Sequence, residues 1–170
     1  NYSLWLLLAL TLALKLPEFR IQISELETFP GPAQGISAGY LEVARWVTEN
    51  TERGALIVTP PVGFETFPWL TRRRIAGTFK QTSLSGGLQA WYEGMTALGN
   101  LKDPWESRGF NLLGKLNASY EQNQTARVEE LLAKFNSRYF LTFADHILSL
   151  PVAFANREYA LYTLPKGEVQ

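Results

Sequence analysis

There is no cysteine among the 170 residues, so disulfides, thiolate nucleophiles and cysteine-ligated zinc or iron–sulfur clusters are excluded. One histidine, His146, is present, which rules out a multi-histidine metal site and makes any Ser-His-Asp arrangement depend on that ring. No G-x-S-x-G elbow supplies the serine. Excess charge of one sign is missing too. Sixteen basic residues balance sixteen acidic ones, so no overall field draws the chain to a phosphate backbone, and nucleic acid is not an expected partner. A local basic patch is the remaining route to an anion. SLSGGLQ and PPVGFE lack both the glycine spacing and lysine of a P-loop and the spaced glycines of a dinucleotide fingerprint. Neither a cofactor nor a metal is expected. There is no internal repeat at solenoid period.

What is present is a core-forming composition. Hydrophobic residues make up 46% and charged residues 19%, which argues against disorder, and the length suits one domain with an appendage rather than two. Residues 1–14 carry no charged side chain and read SLWLLLALTLAL from Ser3; Lys15 is the first charge. That run falls short of the roughly 20 residues needed to span a bilayer. No initiating Met and no basic region precede it, as a signal peptide would require. The expectation for 1–16 is the truncated end of a transmembrane helix, with an all-buried core helix and a signal remnant as the competing readings. Tyr2 and Trp5 suit a membrane interface. Residues 17–36 read as linker, with a short alternating strand at Phe19, Ile21 and Ile23, and Pro30, Gly31, Pro32 and Gly35 toward its end. An α/β domain is expected over 37–165, with a tail at 166–170.

The domain is organised around residues 40–79. Tyr40, Val43 and Val47 with Leu41, Ala44 and Thr48 form an apolar stripe at helical spacing. Ser37 is placed to cap its start, and Asn50, Thr51 and Gly54 to end it near Asn50. Ala55, Leu56, Ile57, Val58 and Thr59 then read as a central strand covered on both faces, stopped by Pro60 and Pro61, which cannot donate to a ladder. Arg72, Arg73 and Arg74 follow the loop and precede a second strand.

Farther on, Leu88, Trp91, Tyr92, Met95 and Leu98 keep helical spacing up to Gly99 and Asn100. Asp103 and Pro104 read as another helix start, interrupted by Gly109 and Gly114. NASYEQNQT reads as a polar loop in which Asn117 and Asn123 each begin an N-x-S/T triplet. Residues 126–135 form the clearest late helix, with Val128, Leu131, Leu132 and Phe135 on one face. Residues 139–143 are a β-rich run, and two runs flanking Asn156 and Arg157 read as an antiparallel hairpin. The expected fold is therefore α/β: a mixed, partly parallel sheet flanked by helices in two or three layers. It is parallel at Leu56 and Ile75, with a C-terminal antiparallel hairpin around Val152 and Leu161 that Pro151 places toward an edge.

The succession of a helix with RWVTENT, then GALIVTPP, an arginine-marked second strand, and a hairpin ending in YALYTLP resembles a known group. It is similar to the soluble C-terminal domain that follows the last membrane helix in large bacterial multi-span proteins. These include relatives of the lipid-phosphosugar-dependent (C-type) glycosyltransferases and a cognate group of unknown function. The likeness covers about residues 38–165 and rests on periodicity. It implies that catalytic acidic residues lie in the membrane portion and its first loop; nothing in this chain matches that motif.

One ligand site is expected. The strand ending at Pro61 delivers its loop to the sheet's carboxyl edge, where α/β folds form crevices. Gly63 permits close backbone approach, Phe64, Phe67 and Trp69 offer apolar faces, and Arg72, Arg73 and Arg74 can hold a phosphate or carboxylate, as in a phosphosugar or lipid headgroup. The bland reading is a solvated loop with an arginine paired to an acid such as Glu65. Trp69, Trp91, Tyr92 and Trp105 suit a sugar ring or, at helical spacing, the core. Glu93 with Asp103, or Glu65 with Asp145, are the conceivable carboxylate pairs, and no spacing in the sequence puts either at the separation glycoside hydrolysis needs. Two functions follow as expectations. One is a non-catalytic extramembrane domain of a polytopic membrane protein, extracytoplasmic, assisting assembly or substrate capture. The other is an independent α/β enzyme acting on an anionic or sugar-containing substrate.

Overall fold

Helix α1, Ala38–Asn50, begins where Ser37 turns extended and its Oγ accepts the Tyr40 N–H at 3.1 Å, the expected cap. Its buried face is Gly39, Tyr40, Val43, Ala44 and Val47. The helix stops at Thr51, whose extended backbone breaks the repeat while its N–H and Oγ1 both donate to Val47 O. Gly54 is therefore not the terminator. The computed structural model describes residues 36–80, 87–100 and 110–164. The expectations for the apolar run, the linker strand, the Asp103 helix start, Trp105 and the tail lie outside them. No helix among the described residues is long and apolar enough to cross a membrane.

Strand β1, Leu56–Val58, is shorter than the expected run, and Ile57 and Val58 are fully buried. A short helix α2, Phe67–Thr71, leads into β2, Arg74–Ile75. Helices α3, Gly87–Gly99, α4, Phe110–Glu121, and α5, Thr125–Lys134, precede β3, Tyr139–Phe143, and the hairpin of β4, Val152–Ala155, with β5, Tyr159–Thr163. The sheet order is β2-β1-β3-β5-β4. β1 pairs parallel with β2 (Leu56 opposite Arg74) and with β3 (Ile57 opposite Tyr139), while β3–β5 and β5–β4 are antiparallel. The α/β expectation, the parallel pair and the hairpin are all found, and β4, following Pro151, is an edge strand.

Strand alternation sorts the two faces. Val58, Phe140, Ala160 and Tyr162 pack with Met95 and Leu98 of α3, Tyr120 of α4 and Val128, Leu131 and Leu132 of α5. The opposite face meets α1 and α2 through an aromatic group: Tyr40 lies 5.2 Å from Phe64, 5.6 Å from Phe67 and 6.0 Å from Tyr159 between ring centroids. The result is three layers.

The polar stretch NASYEQNQT is a correction. Leu112, Leu116 and Tyr120 recur every four residues and are buried, so α4 continues through Glu121 and the loop shrinks to 122–124. Tyr120 stacks on Phe140 at 4.9 Å and donates its O–H to Leu141 O at 2.8 Å. Both asparagines of the N-x-S/T triplets serve the fold. Asn123 is 2% exposed and its amide donates to Leu98 O and Tyr120 O, while Asn117 pairs with both the N–H and C=O of Val62.

Candidate functional site

Because β2, β1 and β3 run parallel, the sheet has an amino edge where these strands start and a carboxyl edge where they end. The expected ligand residues divide between the two. Gly63, exposed at φ 93°, follows β1 at the carboxyl edge. α2 carries the chain back, so Arg72, Arg73 and Arg74 stand at the amino edge, where Arg74 is opposite Leu56.

The side chains divide further. Phe64 is 2% exposed inside the Tyr40, Phe67 and Tyr159 group, so it supplies no ligand-facing ring. Arg73 is 6% exposed, and its guanidinium is consumed by the end of α1. Nε donates to Thr51 Oγ1 at 2.9 Å and Nη2 to the carbonyls of Thr48 at 2.8 Å and Thr51 at 2.6 Å, while Nη1 reaches Thr71 O at 3.1 Å. Orphan carbonyls at a helix C-terminus carry partial negative charge, which a cation there offsets. The middle arginine of the triplet is thus a helix anchor, which no one-dimensional alternation reveals. Arg74 is exposed and, among the described residues, gives one bond, Nη2 to Gly54 O at 3.0 Å.

Arg72 is different. It closes α2 in the left-handed conformation, φ 53° and ψ 35°, with its N–H on Pro68 O. That conformation costs a residue bearing a Cβ about 1 kcal/mol. Its side chain is exposed, as is that of Arg53 in the turn before β1, and neither has an ion-pair partner among the described residues. These two line one groove of about 350 Å3 with Thr48, Leu70, Thr71 and the buried Arg73. Arg53, absent from the expected site, joins it because parallel pairing puts the turn before β1 beside the turn before β2; spacing in the sequence carried no such signal. Arg138, just ahead of β3, adds a cation to the same edge. Trp69, 82% exposed, and Leu70, 41% exposed, stand on α2 just ahead of Arg72.

The carboxyl edge holds a wider cavity, about 750 Å3, lined by Glu121, Phe143, Ala144, Asp145, Arg157, Glu158 and Tyr159. Burial, with the Asp145 carboxylate close by, pushes the Glu121 carboxyl above its ordinary value. Burial likewise raises the Tyr159 hydroxyl. Glu158 accepts from Ser37 Oγ and, at 3.2 Å, from the Gly39 N–H at the start of α1. His146 stands apart from the cavity lining. Its Nε2 donates to Asn123 O at 2.7 Å, since that carbonyl only accepts, and Nδ1 shares a hydrogen bond with Thr142 Oγ1 at 2.8 Å. Both nitrogens serve the fold, and no serine is among its partners in the described residues. No group of three potential metal ligands occurs among the described residues. Trp91 packs beside Phe79 at 5.6 Å and donates to Thr78 O, as its helical spacing allowed.

The class defined by this arrangement is a three-layer α/β domain with a basic amino edge and an acidic carboxyl edge. A family model described as "Domain of unknown function (DUF6798)" matches residues 38–98, the stretch from α1 into α3 that carries Arg53 and the arginine triplet. No curated protein and no solved structure matches the chain.

Proposed function

We propose that this chain is a non-catalytic extramembrane domain of a polytopic membrane protein, membrane-associated and extracytoplasmic, and that its amino edge captures an anionic group such as a phosphosugar or lipid headgroup. The observation that carries the reading is the shoulder of α2, where Leu70 lines one groove with Arg53 and Arg72, and the exposed Trp69 precedes Leu70 in the chain. An indole with neighbouring cations suits the headgroup level of an anionic bilayer. The uncharged run over residues 1–14 and the resemblance to domains that follow the last membrane helix of C-type glycosyltransferase relatives support the same reading. Fractionation of the protein as its own cells make it provides the test: retention in membranes washed with alkaline carbonate is expected, and recovery in the soluble fraction overturns the proposal.

A second reading, an independent α/β enzyme on an anionic or sugar-containing substrate, is favoured by one feature. Glu121, with its carboxyl pushed up, shares the carboxyl-edge cavity with Asp145, and acid–base catalysts need displaced values of that kind. Hydrolysis of a glycoside or phosphate ester that is lost in Glu121→Gln with the fold intact would move the assignment to this edge.

A further inference from the structure

We infer that the groove between the end of α1 and the α2–β2 turn is a binding site for a phosphate monoester, held by Arg53 and Arg72. The inference rests on reading the amino edge as the capture surface and adds the ligand class and the residues. Its first support is the contrast among neighbouring arginines. Arg73 forms the groove's buried floor with its donors spent on Thr48, Thr51 and Thr71. Arg53 and Arg72 line the opening, and among the described residues neither guanidinium has an ion pair or a hydrogen bond. Guanidinium forks suit the oxygens of a phosphate, and a dianionic monoester takes both. The second support is conformational. At φ 53°, position 72 favours Gly or Asn, yet an arginine stands there. A residue in a conformation it resists points to a use for its side chain. The volume, about 350 Å3, is at the small end of ligand sites, enough for a phosphate with part of its ester. Leu70 gives an apolar wall and Trp69 lies at the exposed side of the same helix, so the esterified group can be a sugar or a lipid. The shared chemistry is the phosphate.

Titration of the full chain with inorganic phosphate, followed through the Arg53 and Arg72 Nε–H resonances against a chloride control, tests the site. Flotation with phosphatidylcholine vesicles, with and without phosphatidic acid, distinguishes the sources. A saturable response to phosphate supports a soluble phosphate ester; preference for phosphatidic acid with no response to free phosphate supports a lipid headgroup. Arg72→Asn should weaken either binding about tenfold or more, as loss of a charge-assisted pair implies. Because Asn accepts the left-handed conformation, its thermal transition should stay or rise. Arg53→Gln should weaken binding in the same way. No saturable response to either probe, or binding unaltered in Arg72→Asn, overturns the site. A lowered transition in Arg72→Asn does so too, by assigning the arginine a structural role. Membrane retention in the carbonate wash does not pass through Arg72, so a failed site and a failed domain assignment give different results.

Discussion

α1 ends on a charged side chain at each edge of the sheet, and the two ends are built differently. At the carboxyl edge Glu158, exposed in the β4–β5 turn, accepts from Ser37 Oγ and the Gly39 N–H. At the amino edge Arg73, buried, donates to the carbonyls of Thr48 and Thr51. Each sign suits its end of the helix dipole. The difference is desolvation: water can replace Glu158, whereas nothing replaces Arg73. The same charge logic therefore gives a strong anchor on one side and a weak one on the other. Three arginines adjacent in sequence consequently have unequal roles, since burial consumes one and leaves its neighbours to solvent.

Removing the buried anchor should have the largest effect. Arg73→Leu strands the buried Thr51 and Thr71 carbonyls, with the half-buried Thr48 carbonyl beside them, and should cost about 3 kcal/mol in urea unfolding, the scale of an orphaned buried polar network. Arg73→Lys cannot reproduce the fork and should recover only part. A loss no greater than that of Arg74→Leu would break the comparison, because Arg74 is exposed and, among the described residues, gives a single bond to Gly54 O.

The weaker end sharpens the contrast. Glu158→Ala should cost about 1 kcal/mol, the range of an exposed helix-terminal charge with a cap contact. Gly39 supplies a second probe, since a Cβ there would meet Glu158 Oε1 at 2.7 Å and its Cδ at 2.8 Å. Gly39→Ala alone forces the carboxylate aside, and its loss offsets the gain of about 0.5–1 kcal/mol that Ala brings to a helix. With Glu158→Ala already present, the two carboxylate contacts are gone and part of that gain should appear, the Cβ of residue 158 still lying 3.1 Å from the new methyl. A double-mutant cycle in urea measures the coupling, and additivity would show that the carboxylate does not hold α1.

These two ends also mark how far the sequence is legible. Ser37 as cap, a β1 strand that stops before Pro60 and the parallel pairing at Leu56 depend on local chemistry and periodicity, and all were readable, although β1 ends already at Val58. Tyr120 was not, because its neighbours Asn117, Ser119 and Glu121 mask a stripe that begins at Leu112. The site was half-readable. The loop after β1 does reach the carboxyl edge, but α2 returns the arginines to the other edge, and alternation separates Arg73 from Arg72 and Arg74 without telling which side turns inward. Arg53 enters only through parallel pairing across the sheet.

The smallest expected effect tests the acidic side through pH. Burial first, and Asp145 second, raise the Glu121 carboxyl above its ordinary 4.5. Between the unfolded value and the raised folded one, the native state holds more protons than the unfolded state, so stability falls as pH rises through that interval. The native protein should therefore lose a little thermal stability from pH 4.5 upward until the folded carboxyl is fully ionised, and Glu121→Gln should remove that share of the slope. Asp145→Asn removes the neighbouring charge while leaving the burial, so the interval should narrow without vanishing. Glu121 is largely open to solvent screening, which keeps the effect small beside the loss of Arg73. An identical slope in the native protein and Glu121→Gln would mean that the carboxyl titrates alike in both states. The acidic edge would then be a solvated rim, and the contrast with the amino edge would reduce to the arginines alone.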